Sequence, residues 1–135
     1  MPHFSMKSMT ILGTCHRDIQ TVMQEAIKVV DFSVFSGHRT PKEQAKLFAQ
    51  GRTTKGDIIT YRDGTDKKSK HNYSPSKAVD IIPWPEGWKD EERFSYVAGV
   101  VMTVAHRLWS EGKIENKIEW GGDWRNFKDK PHFQI

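Results

Sequence analysis

Cysteine is nearly missing from this chain of 135 residues: Cys15 stands alone. A single thiol forms no internal disulfide and no cysteine-based metal site, so any bound metal must be held by histidine and carboxylate. It also fits production in a reducing cytoplasm. Long apolar runs are missing as well. No stretch approaches the roughly 18 consecutive apolar residues of a membrane-spanning helix, and Met1-Pro2-His3-Phe4-Ser5-Met6-Lys7 lacks the apolar centre of a secretory leader. The expectation is a chain with no membrane anchor and no export signal of its own. Internal repeats, low-complexity tracts and linkers are absent too. The whole of 1–135 is therefore expected to be one domain, monomeric by default and large enough to bury a core without disulfides.

What the chain does have is a modest excess of positive charge, +4 with a pI near 9.2. That suits an anionic partner, either nucleic acid or the anionic polymers of a bacterial wall, and does not choose between them. A nucleic-acid module would draw on Lys67, Lys68, Lys70 and Lys77 with Tyr61 and Tyr73, but Asp57, Asp63 and Asp66 interrupt that patch.

Periodicity places the elements. Ile19, Val22, Met23, Ala26, Ile27 and Val30 recur at helical spacing with Asp18 in the opening turn, and 31–35 switches to a two-residue period, a strand ending at Ser36-Gly37. Thr40-Pro41-Lys42-Glu43 reads as a capping box with proline at the first helical position, opening a helix that runs to about Gln50 and is closed by Gly51. Arg39 is thereby pinned between a strand end and a helix start. A long polar loop follows from Arg52 to Asn72, with one hairpin expected at Asp63-Gly64. Beyond the apolar run Ala78 to Ile82 comes a turn, Pro83-Trp84-Pro85-Glu86-Gly87-Trp88, whose indoles are expected to cover the core rather than line a cleft. Phe94, Val97, Ala98, Val101, Met102, Ala105, Leu108 and Trp109 then form a helical stripe, with Gly112 just past its end. His106 lies beside the stripe and is read as structural. The tail holds a strand at 118–120, a turn at Gly121-Gly122-Asp123-Trp124, and a last strand from His132. There His132 and Gln134 share one face, and Phe133 and Ile135 the other. Asp129 would fall opposite His132 in a regular strand, but Pro131 favours a bend that lets both turn toward one cavity.

Two of these segments carry chemistry. Asp80 sits within a short β-branched run that reads as a buried strand, and an unpaired buried carboxylate costs several kcal/mol unless a cation, hydrogen bonds or a metal satisfies it. His71 stands in the polar loop just before it and His132 near the C-terminus. Imidazole nitrogen and carboxylate oxygen are good zinc ligands, and three of them would leave one position open, as in catalytic zinc sites.

On these residues the chain resembles a known group. Ser69-x-His71, Ala78-x-Asp80 and Asp129-x-x-His132, with Ser36-Gly37-His38-Arg39-Thr40-Pro41, Glu43-Gln44, Gly51-Arg52-Thr53 and Thr60 upstream, resemble the zinc peptidases that include D-Ala-D-Ala carboxypeptidases and the L-alanyl-D-glutamate peptidases of phage endolysins. The likeness runs from about Phe35 to Phe133. It departs at two points: the interval from His71 to Asp80 is two residues longer than the short form of the motif, and His38 stands where tyrosine is more usual. The resemblance implies an α+β fold, a small antiparallel sheet with flanking helices of the Hedgehog/D-Ala-D-Ala peptidase kind. It implies one Zn2+ on His71, Asp80 and His132, Asp129 as the proton shuttle, and Arg39 as the cation facing a developing oxyanion, against a surface Arg39 paired with Glu43. Ser69 is expected to support the loop or a ligand by hydrogen bonding, and Asp123 to do likewise or to cap a turn. The implied activity is hydrolysis of peptidoglycan stem peptides, foremost the L-alanyl-D-glutamate bond in phage-driven host lysis, with D-Ala-D-Ala carboxypeptidase activity as the alternative. The enzyme would stay in the host cytoplasm until released to the wall.

Overall fold

The computed structural model describes residues 2–85 and 87–135; Glu86, inside the expected Trp84 to Trp88 turn, lies outside the described residues. Helix α1 (Met6–Leu12) opens on Ser5, whose side chain accepts from the Ser8 backbone N–H. Periodicity gives no sign of it, because its 7 residues are too short for a stripe to repeat and two of its apolar side chains, Met6 and Met9, face solvent. Helix α2 (Arg17–Ala26) buries Ile19, Val22, Met23 and Ala26 on one face, as its spacing requires. Strand β1 (Phe32–Ser36) follows, then α3 (Pro41–Ala49), which carries the expected capping box between Thr40 and Glu43. Gly51 takes φ 81 just beyond it, a left-handed stop that glycine adopts at least cost.

The polar stretch from Arg52 to Ser69 contains no hairpin. Instead the Asp63 carboxylate accepts from the backbone N–H groups of Thr65 and Lys67, folding the chain back on itself locally with no strands to pair. A 3₁₀ turn, Lys70–Asn72, leads to strand β2 (Ala78–Pro83). Helix α4 (Glu91–Ser110) lays Phe94, Val97, Ala98, Val101, Val104, Ala105 and Leu108 against the core, while His106 stays exposed. No helix among the described residues is long and apolar enough to cross a membrane.

Strands β3 (Glu119–Trp120) and β4 (His132–Gln134) complete a four-stranded antiparallel sheet in the order β1-β2-β4-β3. Its register decides which side chains share a face. Val79 opposes Phe133 and Asp80 opposes His132 across the β2/β4 pair. Since successive side chains point to opposite faces, Val79, Ile81 and Phe133 enter the core with α2 and α4, and Asp80 and His132 emerge together on the other face. An irregularity in β1 between Val34 and Ser36 brings Ser36 opposite Asp80 as well.

A buried charge ties the helical layer to the C-terminal half. Asp18 is fully buried, and its Oδ2 accepts from the backbone N–H groups of Glu115 and Asn116 and from the Asn116 side chain, at 2.9–3.0 Å. Burial pushes this carboxyl up, but the Asn116 and Glu115 donors overcome it and hold it below the usual carboxylate range. A carboxyl depressed by folding adds stability above its unfolded pKa and loses it as the pH falls through the folded value. Asp18→Ala should therefore cost roughly 2–4 kcal/mol at neutral pH, the donors being left unpaired. In urea titrations its difference from the parent should be full above about pH 4 and shrink in stronger acid; a pH-independent difference would mean that packing, not the charge, carries the effect.

Candidate metal centre and cleft

Three elements supply the central side chains. Asp80 comes from the middle of β2, His132 from the start of β4, and His71 from the 3₁₀ turn. One potential ligand atom from each lies within 4.8 Å of the others. His71 Nε2 stands 3.3 Å from Asp80 Oδ2, and His132 Nδ1 stands 3.2 Å from Asp80 Oδ1. Both imidazoles are buried, whereas Asp80, expected to be buried, keeps 16% of its side chain exposed at the floor of a cleft.

The hydrogen bonds around the rings decide which nitrogen faces inward. His71 Nδ1 is 2.8 Å from the Gly37 carbonyl, which can only accept, so Nδ1 carries the proton and Nε2 the lone pair. That Nε2 is buried and, among the described residues, has no hydrogen-bond partner. On the other ring, His132 Nε2 is 2.8 Å from Gln134 Oε1. Gln134 donates its own amide to the Glu119 carboxylate, which fixes Oε1 toward the imidazole, so His132 Nε2 is the N–H and Nδ1 is turned to Asp80. Two nitrogens and a carboxylate thus converge with no donor among them except a proton on His132 Nδ1. The donor set, with a second hydrogen bond orienting each imidazole, fits a divalent metal ion. With a proton in the metal's place, burial lowers the His132 pKa but Asp80 and Gln134 more than reverse it, while for Asp80 burial raises the pKa and the two histidines hold it well below the usual carboxylate range.

The loop bearing His71 is stitched to the strand end before α3. The Ser69 hydroxyl accepts from the His71 N–H at 3.2 Å, the supporting role expected of it. Arg39 N–H donates to the His71 carbonyl, and Asn72 Nδ2 donates to the Arg39 carbonyl. Gly37 is needed for closeness: a Cβ there would lie 2.4 Å from Thr14 Oγ1 and 2.8 Å from the Ile11 carbonyl. The longer interval between His71 and Asp80 is absorbed by a loop that returns through Ser76, whose backbone pairs with Thr14 and His16. His38 is exposed and does not line the cleft.

Arg39 points inward. Its guanidinium donates to Gln44 Oε1 at 2.7 Å and Ser36 Oγ at 3.1 Å and lies 3.6 Å from Asp80 Oδ2. Glu43, the alternative partner, is occupied in the α3 capping box. Asp129 reaches the same cavity: its Oδ2 is 4.0 Å from His132 Nδ1, and its side chain remains 35% exposed. The bend at Pro131 is accompanied by a tight approach to Gly121, whose carbonyl accepts from the Asp129 N–H and where a Cβ would meet the Asp129 carbonyl at 2.3 Å. Burial and the nearby Asp80 charge push the Asp129 carboxyl up, against the pull of His132, His71 and Arg39. Asp123 is exposed and does not line the cleft.

These groups lie in a cleft of about 980 Å3. Trp84 and Trp88 are both exposed; Trp88 lines the cleft with its ring 5.1 Å from Phe35 and also stacks on the buried Phe94, so that indole serves the cleft and the edge of the core together. Proline-bounded turns give no periodic signal, so the side to which their indoles point could not be read from spacing. Gly37, Gln44, Glu119 and Gln134 carry no role that the sequence alone assigns. The i, i+2 placement of Gln134 after His132 was the available sign for one of them.

A family model described as phage L-alanyl-D-glutamate peptidase matches residues 2–133. The peptidoglycan L-alanyl-D-glutamate endopeptidase CwlK of Bacillus subtilis (strain 168) is 35% identical over 118 residues, covering 82% of this chain; the chain spans 64% of that relative's length. Among solved structures, the Serratia marcescens L-Ala D-Glu endopeptidase ChiX shares the fold, with a TM-score of 0.73 over 99% of this chain and 90% of that one at 24% identity.

Gln134→Leu keeps the size of the side chain and removes the acceptor that fixes the His132 ring. Affinity for a divalent metal should fall about 10- to 100-fold, read by competition with a chromogenic chelator; unchanged affinity would show that the sheet alone orients His132.

Proposed function

The chain belongs to the phage L-alanyl-D-glutamate peptidase family, and on that footing we propose that it is a zinc metallopeptidase that hydrolyses the L-alanyl-D-glutamate bond of peptidoglycan stem peptides. The observation that carries this reading is the convergence of His71 Nε2, an Asp80 oxygen and His132 Nδ1 at the floor of a large cleft, with the His71 nitrogen buried and unpartnered. Zinc is the metal of choice because two imidazoles and a carboxylate suit it. When bound, it supplies Lewis-acid polarisation of a carbonyl and a water of lowered pKa.

The remaining work falls to this chain's own side chains. Asp129, beside His132 and open to the cleft, takes a proton from the attacking water and returns it to the departing amine. Arg39 keeps a permanent positive charge at the cleft floor, where it steadies Asp80 and faces the oxygen on which negative charge develops. The D-Ala-D-Ala carboxypeptidase alternative gains nothing comparable, because the relatives' names specify the L-alanyl-D-glutamate bond. In a phage setting the enzyme is made in the host cytoplasm and meets its substrate once the membrane is breached.

The purified protein should carry about one zinc per chain, and a strong chelator should abolish wall lysis that added zinc restores. His132→Ala should lose zinc and activity together. Asp129→Asn should keep its zinc while turnover drops roughly 10²- to 10⁴-fold, since the amide fills the same space and accepts no proton. Metal analysis and lysis of sacculi, run on both variants side by side, decide this: zinc loss in Asp129→Asn makes Asp129 a ligand, and lysis at the parent rate removes it from the chemistry.

Arg39→Ala should lower kcat by on the order of 10²-fold with little change in KM, the pattern of a contact made in the transition state. A pure KM effect on a soluble stem peptide would confine the guanidinium to substrate binding.

A further inference from the structure

Phe127 is the only residue other than glycine with a positive φ among the described residues, at φ 49. A bulky side chain in that conformation is strained, and such strain persists where the surroundings impose it, often at ligand sites. The strain does not serve the core. The Phe127 ring is 41% exposed and meets Tyr61, 55% exposed, edge to face at 5.0 Å, and both line the cleft. Tyr61 is braced from behind: the Arg52 guanidinium lies over Phe48 at 3.8 Å and near the Tyr61 ring at 5.6 Å, and its Nη1 donates to the Phe48 and Thr60 carbonyls. The other aromatic pair in the cleft, Phe35 and Trp88, has a packing explanation, because Trp88 also stacks on the buried Phe94.

We propose that Tyr61 and Phe127 form a stacking platform for an N-acetylated amino-sugar ring of the substrate's glycan. The inference rests on the peptidase reading for its choice of ligand. An L-alanyl-D-glutamate bond joins a methyl side chain to a carboxylate side chain, and neither fills an aromatic surface. In peptidoglycan that alanine is the residue attached to the glycan, so a sugar ring lies one residue from the bond to be cut. The C–H faces of a pyranose ring match aromatic faces, whose negative electrostatic face attracts polarised hydrogens. Phe127 is two residues from Asp129, which places the platform next to the chemistry.

The test is binding of a peptide-free N-acetylglucosamine tetrasaccharide, measured by calorimetry on the intact protein, so its outcome does not depend on catalysis. The parent should bind; Tyr61→Ala and Phe127→Gly should weaken binding by at least roughly tenfold, and Tyr61→Phe should bind as the parent does. Glycine relaxes the positive φ, so Phe127→Gly should unfold at a temperature no lower than the parent, which separates loss of the ring from loss of the fold. No binding by the parent, or parent-like binding by Phe127→Gly and Tyr61→Ala, overturns the platform, even if stem peptides are hydrolysed. Sugar binding lost in both variants supports the platform even if no peptide is cut, and in that case only the peptidase reading falls.

Discussion

The convergence of His71 Nε2, the Asp80 carboxylate and His132 Nδ1, with the Arg39 guanidinium 3.6 Å from Asp80 beside them, is the constraint on which the rest of the site depends. The antiparallel register sets Asp80 directly across from His132, and the 3₁₀ turn brings His71 Nε2 to the same carboxylate. Left alone, such a cluster repels itself and has surrendered much of its hydration. A proton on His132 relieves part of the cost, but it does not reach His71 Nε2, which stays unpartnered. A divalent cation satisfies all three at once. Folding therefore assembles residues that could hold a metal ion, and binding of one there would be coupled to stability.

Holding this arrangement requires the rings to be unable to turn away. Each imidazole is fixed through its outward nitrogen: His71 by the Gly37 carbonyl, His132 by Gln134, which Glu119 orients in turn. Gln44 plays the same part for the cation. It is buried, accepts from Arg39, and donates to Thr60 and the Arg62 carbonyl, so the cleft-lining loop and the guanidinium share one anchor.

Much of the framework was legible because it rests on short-range rules. The Thr40 capping box, the α4 stripe and the two-residue alternation that separates Phe133 from His132 each follow from local spacing. The pairing of Asp80 with His132 needed more: a lone carboxylate in an apolar strand announces an unmet need that a cation, hydrogen bonds or a metal could meet, and the family resemblance singled out His132. Other features depend on distant neighbours. Gly37 is required by Thr14 and Ile11, which approach from another element, and the expected hairpin at Asp63-Gly64 failed because the Asp63 carboxylate satisfies backbone N–H groups that a hairpin would have paired across strands. The outward turn of Trp88 belongs to the same class, since no pattern of spacing governs a turn flanked by prolines.

The division of labour across the cleft comes from these supports. Asp80 and His132 stand on paired strands whose opposite face is the packed core, so their separation is set by the same contacts that stabilise the fold. Asp129 stands outside that sheet, on a segment held by Gly121 through a backbone hydrogen bond and a contact too close for any side chain. Its carboxylate is near enough to His132 to share its field, yet partly exposed and free of the strand's direction, which is what the proposed proton shuttle requires. The proposed metal ligands gain from rigidity and the proposed proton carrier from access to the cleft, and the chain offers both within four residues because Pro131 ends the bend and His132 begins the strand.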